Sequence, residues 1–347
     1  MRIVIARVLC AGVVATLAWG GPQPLPNAQA AESPKVTIAV AVDVLSFAAL
    51  WVAQETGLFQ KHGVDATVTL MEGGGPAVQA LVAGSVQFSV TDSSAVALTH
   101  AKGVTDPINV ETPANRLTLD TVVRKAVVDR LHLSRQMPIA DRMRALKGLT
   151  IAITSPGAAS DVFARYYLRR VGLDPSTAAK FVAVGGVPAM LATMTKGQTD
   201  AFLLSPPAGE IAESEGVGQV IISAVSGDVP ELSNFAYEGV ITTQSYARAH
   251  PDVVRAVATA IAEGGNLMHD DPAAAEAALE KHFSKVKPEI LKVAVRDITP
   301  AVPRNGRSNE ESWANLLRID RIAGIIPAGV TLSTKEGVLW TNQYLPR

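Results

Sequence analysis

Short apolar runs of strand length, each followed by a glycine-rich or small polar loop and then an apolar-periodic helix, recur along most of this 347-residue chain. Strand, loop and helix in that order leave few architectures open, the leading one being parallel β-sheet covered by helices, an α/β fold. Residues 36–42 read as the first strand, and residues 47–61 repeat apolar side chains at helical spacing before His62-Gly63 stops them. Residues 66–71 form the next strand, after which Gly73-Gly74-Gly75-Pro76 turns the chain into a helix. The strand 86–90 runs into Thr91-Asp92-Ser93-Ser94, residues suited to capping a helix toward Lys102.

The middle of the chain repeats this plan. Strand 149–153 leads through Thr154-Ser155-Pro156-Gly157 into a helix ending at Arg170, and strand 180–184 leads through Gly185-Gly186-Val187-Pro188 into another. A third strand, 201–204, ends at Ser205-Pro206-Pro207. The order of glycine turn, proline, apolar helix, glycine and strand occurs once in each half, which predicts two lobes of similar architecture. From Gln244 onward the pattern is helical, over 245–249, 251–267, 272–282, 288–297 and 309–323, with Pro251, Pro272 and Pro288 near helix starts, where a missing N–H costs nothing. Two lobes then need crossing segments, expected near residues 117–124 and 235–241. Residues 31–120 with 240–347 are expected to form one lobe and residues 121–239 the other.

The first thirty residues differ from the rest. They carry Arg2 and Arg7 but no acid, an apolar run from Val8 to Trp19, and Ala28-Gln29-Ala30 in A-x-A form, which together read as a secretory signal cleaved after Ala30. The apolar run is shorter than the roughly 18 residues of a membrane anchor. Cys10 is the only cysteine, so its removal with the signal excludes disulfides and thiol chemistry. The remaining 29 basic and 32 acidic residues give a net charge of −3, which supplies no field for gripping nucleic acid.

Catalytic signatures are missing. The chain has no G-x-S-x-G elbow, no H-E-x-x-H, no phosphate-binding G-x-x-x-x-G-K-[ST] and no G-x-G-x-x-G after a strand. The six histidines, 62, 100, 132, 250, 269 and 282, show no metal-binding spacing. No catalytic residue, metal site or cofactor is therefore expected. Loops after the strands of an open α/β sheet are where ligands bind, because helix N-termini there present unpaired N–H groups. Thr91 to Ser94, Thr154 to Ser160, Gly73 to Gly75 and Gly185-Gly186 are four such loops, two in each half, and together they place a ligand between the lobes.

The run Leu50-Trp51-Val52-Ala53-Gln54-Glu55-Thr56-Gly57-Leu58-Phe59, with His62-Gly63-Val64, resembles the first helix of ABC-transporter substrate-binding proteins of the nitrate/sulfonate/taurine type. That group includes pyrimidine-precursor binders of thiamine biosynthesis. Leu146-Lys147-Gly148, Ile151-Ala152-Ile153, Ser155-Pro156-Gly157 and Ser160-Asp161 are similar to the opening of the family's second lobe. Gly185 to Leu191, Lys196 to Ala201 and His250-Pro251-Asp252-Val253-Val254 extend the resemblance in order and spacing. It implies a periplasmic-binding-protein type II fold, with two α/β lobes joined by two crossing strands around a ligand cleft. It also implies a monomeric periplasmic receptor that delivers a small organic solute to an inner-membrane permease driven by a cytoplasmic ATPase. A pyrimidine-precursor binder, a related enzyme and an exported ligand-sensing subunit are the alternatives.

The expected binding set is Asp43, Ser46, Phe47, Gly74, Gly75, Asp92, Ser93 and Ser94 from the first half, Ser155, Gly157, Ala158, Ser160, Gly186 and Ser205 from the second, and Tyr237 from the second crossing. Backbone N–H groups and hydroxyls of Ser93, Ser94, Ser155, Gly157, Ala158 and Ser160 are expected to hold an anionic or strongly accepting group such as a sulfonate or carboxylate. Phe47 and Tyr237 would flank an apolar portion, and Arg116 or Arg124 would add a charge-assisted contact. Asp43 departs from this pattern: facing the ligand it would repel an anion, and otherwise it would cap the following helix.

Overall fold

Ten strands form two five-stranded sheets in the computed structural model, which describes residues 33–346. The secretory signal expected over residues 1–30, with Cys10, lies outside the described residues. The first sheet holds β1 (Lys35–Val40), β2 (Asp65–Leu70), β3 (Phe88–Asp92), β4 (Pro107–Ala114) and, last in the chain, β10 (Glu238–Thr243), in the order β2-β1-β3-β10-β4. The second holds β5 (Asp120–Arg124), β6 (Thr150–Ile153), β7 (Lys180–Ala183), β8 (Ala201–Leu204) and β9 (Gly218–Ser223), in the order β7-β6-β8-β5-β9.

The two orders are the same pattern, so the internal similarity read from the glycine turns corresponds to a repeated sheet plan. Each sheet has a parallel core of three strands, β2-β1-β3 in one and β7-β6-β8 in the other. The purely parallel expectation needs correction at the fourth position, where β10 and β5 run antiparallel to both neighbours. Both are the strands that have just crossed from the other sheet. The chain leaves the first sheet after Ala114, enters the second at Asp120, leaves it after Ser223 and returns at Glu238.

Helices cover each sheet. The amphipathic helix Pro251–Asp270 packs on Ala48–Glu55 at very short range: a Cβ on Gly264 would stand 2.2 Å from the Ala49 carbonyl oxygen, so only glycine permits that approach. The single helix expected over residues 47–61 is two, because Gly57 adopts φ 74° between Ala48–Glu55 and Leu58–Lys61. Helix Glu310–Ala323 starts at Asn309, whose side chain accepts from Ser312 N–H at 2.8 Å. It packs on helix Ala159–Arg170 and lies beside the second crossing, where Asn315 Nδ2 donates to the Asn234 carbonyl at 2.7 Å.

Strand β4 escapes the sequence reading because Asn109, Glu111 and Pro113 interrupt its apolar pattern, although every one of its residues is buried. Among the described residues no helix is long and apolar enough to cross a membrane.

Candidate functional site

The C-terminal ends of the parallel strands of both sheets meet at one recess of about 350 Å³, a volume that includes its open side. The first lobe contributes Ala41 and Val42 after β1, Ser46 and Phe47 from the following turn, Gly74, and Thr91-Asp92 at the end of β3. The second contributes Thr154, Ala158, Ala159 and Ser160 after β6, and Leu204-Ser205 at the end of β8. The crossings supply Leu119 on one side and Tyr237-Glu238 on the other.

The lobes touch around this recess. Leu45 N–H donates to the Pro206 carbonyl at 2.8 Å. Gly186 N–H donates to Glu72 Oε2 at 2.9 Å, and Glu72 holds φ 55°, an uncommon conformation for a residue with a side chain. A Cβ on Gly73 would stand 2.9 Å from Ser155 Oγ, so the first glycine turn allows close approach to the opposite lobe.

Of the expected set, Ser46, Phe47, Gly74, Asp92, Ala158, Ser160, Ser205 and Tyr237 line the recess. The others do not, for identifiable reasons. Ser94 turns its hydroxyl away and donates to Asp320 Oδ1 of helix Glu310–Ala323 at 2.8 Å. Ser93 lies beneath β10, where a Cβ on Gly239 would be 2.9 Å from its Oγ. Gly75 and Ser155 belong to the seam between lobes, and Gly157 N–H is taken by Asp161 Oδ2 at 2.9 Å. Gly186 and Asp43 line a separate outer recess of about 890 Å³, its open side again included.

Asp43 neither faces the inner recess nor caps a helix. It accepts from His282 Nε2 at 3.0 Å, while the His282 ring stacks on Trp51 with centroids 4.1 Å apart. Arg124 pairs with Asp200 at 2.9 Å, and neither it nor Arg116 lines the inner recess.

The electrostatics of the inner recess are set by acids. Asp92 and Glu238 are both buried, and no lysine or arginine lines the recess. Burial pushes the Asp92 carboxyl up to about 6, against the opposing pull of the Thr91 hydroxyl and the N–H groups of Ala159 and Ala95. Burial and the neighbouring Asp92 push Glu238 well above the usual carboxylate range, with the Ser46 and Tyr237 hydroxyls opposing. Burial likewise raises Asp320, to about 8, although Ser94 donates to it. Thr118 and Ser205 hydroxyls bond each other at 2.7 Å, and Ser160 Oγ accepts from Thr154 N–H at 2.9 Å.

Glu238 is the one charged lining residue absent from the expected set, and Val42, Leu119 and Leu204 are apolar ones that the set also lacks. The Glu238 signal is a lone acid in the otherwise uncharged crossing stretch Phe235-Ala236-Tyr237-Glu238-Gly239-Val240-Ile241. Among the described residues no group of three or more His, Cys, Asp or Glu side chains is arranged to hold a metal ion.

The family model described as the NMT1-like family matches residues 29–281. The nitrate/nitrite binding protein NrtA of Synechococcus elongatus is 31% identical over 169 residues, which are 47% of this chain and 35% of that protein. A solved structure from Bordetella bronchiseptica RB50 superposes with a TM-score of 0.77 at 22% identity, covering 90% of this chain and 96% of the other. The alkanesulfonate-binding protein SsuA of Xanthomonas axonopodis pv. citri, bound to MOPS, superposes with a TM-score of 0.67 at 18% identity, covering 86% and 96%. Matched along most of its length and built from two like sheets that meet at a recess, the chain belongs to the NMT1-like family and has the two-lobed fold of periplasmic binding proteins.

Proposed function

We propose that this protein is an exported, non-catalytic receptor, which captures a small organic solute between its lobes and delivers it to an ABC importer's membrane permease. The observation that carries this reading is the recess itself, lined from both sheets and both crossings, with each lobe offering strand-end loops to the same small volume. Such a site binds tightly only when the lobes are together, so a solute that touches both favours that arrangement. The family supports the reading, as do relatives whose names state nitrate/nitrite and alkanesulfonate binding. Export through cleavage after Ala30, a periplasmic location and a monomeric state belong to the same proposal.

The moving bodies in this reading are residues 31–120 with 240–347, and residues 121–239. They hinge where the chain passes between sheets, at 115–119 and 224–237. The test is a melting screen over sulfonates, carboxylates, aromatic acids, pyrimidines and amines, followed by small-angle scattering. A solute at a hundredfold excess over Kd should add about 2.7 kcal/mol of stability and reduce the radius of gyration. An unchanged radius at saturation counts against hinge closure.

A further inference from the structure

Asp92 and Glu238 need an explanation that a generic solute site does not supply. They stand directly opposite each other on the antiparallel pair β3 and β10. Cross-strand partners send their side chains to the same face with Cβ atoms about 4.5–5.5 Å apart, and like charges in that position repel. Both residues line the recess, at 5% and 3% exposure. Neither forms an ion pair among the described residues, and Asp92 Oδ1 and Glu238 Oε2 have no hydrogen-bond partner. A buried carboxyl left in this state is costly unless something compensates it.

Two of the donors that the sequence assigned to an anion, the Ser94 hydroxyl and Gly157 N–H, are spent on the protein's own acids Asp320 and Asp161. The N–H groups of Ala159 and Ala95, near the starts of helices Ala159–Arg170 and Ser94–Ala101, favour the ionised Asp92 carboxyl against its burial. The protein's own acid therefore sits in the field of the helix starts that the sequence assigned to the ligand. Ser94 donates to Asp320, and Ser160 Oγ accepts from Thr154 N–H. Beside the Ser46 and Tyr237 hydroxyls, the recess offers the free acceptor oxygens of two acids on an apolar wall, with no lysine or arginine.

We propose that the solute carries a cationic nitrogen group, an ammonium, amidinium or guanidinium, seated between Asp92 and Glu238. A small apolar body then lies against Val42, Phe47, Leu119 and Leu204. This rests on reading the recess as the solute site. Such a group has donors and no acceptor, so it complements two carboxylates whose free oxygens lack donors. It also supplies the charge that lets both acids ionise together at this separation. On this assignment the chain departs in solute charge from relatives named for nitrate and alkanesulfonate binding, and the anionic solute expected from sequence is replaced.

Calorimetry and melting of the full-length protein with isosteric pairs of opposite charge test the assignment: benzamidine against benzoate, butylamine against butanoate, and putrescine against succinate. The cationic member of at least one pair should bind. Its affinity should fall at least tenfold in both Asp92→Asn and Glu238→Gln, each retaining the parent's circular dichroism. Tighter binding of the anionic member, equal binding of both, or a cation affinity within twofold of the parent in both variants overturns the charge assignment and leaves the receptor reading standing. A solute carried through purification and identified by native mass spectrometry decides the same question by its own charge. Binding of neither member of any pair, with no carried solute, overturns the receptor reading and this assignment together.

Discussion

The inner and outer recesses both contain carboxylates, and they treat them in opposite ways. In the outer recess Asp43 is half exposed and bonded to His282, which also lies 3.5 Å from Glu55, while Glu55 pairs with Lys281 at 2.8 Å. Those partners hold Glu55 below its ordinary value despite partial burial. In the inner recess Asp92 and Glu238 are buried, opposed to each other, raised and without a base. An acid given its partner by the fold is accounted for by the fold. An acid denied one in a recess between two lobes is held ready for a partner from outside.

The sharpest way to break this contrast is to keep the lobes apart. A side chain at Gly73 would run into Ser155 of the opposite lobe. Gly73→Leu is therefore expected to weaken solute binding at least hundredfold while leaving the melting temperature of the free protein within a few degrees. Titration by calorimetry, with scattering on the same samples, measures both, and retained affinity would mean that closure at this seam is unnecessary.

A smaller effect concerns the free protein. An acid whose folded-state pKa is raised binds its proton more tightly folded than unfolded, so stability falls as pH rises from the unfolded value through the folded one. Asp92 at about 6, Glu210 at about 7 and Asp320 at about 8 place that loss between about pH 4 and 8. A rise of about two units at Asp92 corresponds to roughly 3 kcal/mol at the upper end. An amide accepts less well from the N–H groups of Ala95 and Ala159, which returns part of that gain. Asp92→Asn should therefore stabilise the unliganded protein by on the order of 1–2 kcal/mol at pH 8 and by almost nothing at pH 4. Urea unfolding at the two pH values checks the sign, and a destabilised variant at pH 8 would contradict the unpaired state of this acid.

The smallest effect belongs to the outer recess. Asp43→Asn weakens a partly exposed hydrogen bond from His282, and exposed polar contacts of this kind contribute about 0–1 kcal/mol. Unfolding should register a change within that range, with solute affinity unaltered. A tenfold change in affinity would make the outer recess part of the binding site.

Much of the architecture was legible because it is written in local pattern. The helix Pro272–His282 follows from its proline start and apolar spacing, and the repeated glycine turns announced two sheets of one plan. The site was legible only in part. Placing Asp92, Ser46, Phe47 and Ser160 at strand ends required nothing beyond the rule that ligands sit there. Ser94 illustrates the limit, since it sits at the start of a helix in the right loop yet spends its hydroxyl on Asp320, 226 residues later.

The sequence by itself determined the alternation of strand and helix, and with it an α/β fold in two similar halves, because periodicity and turn chemistry act over a few residues. Tertiary structure alone decided that β10 returns antiparallel beside β3 in a register that sets Glu238 against Asp92 across 146 positions of chain. Register is a property of two strands pairing, not of either strand, and a shift of one residue would have turned Glu238 to the opposite face.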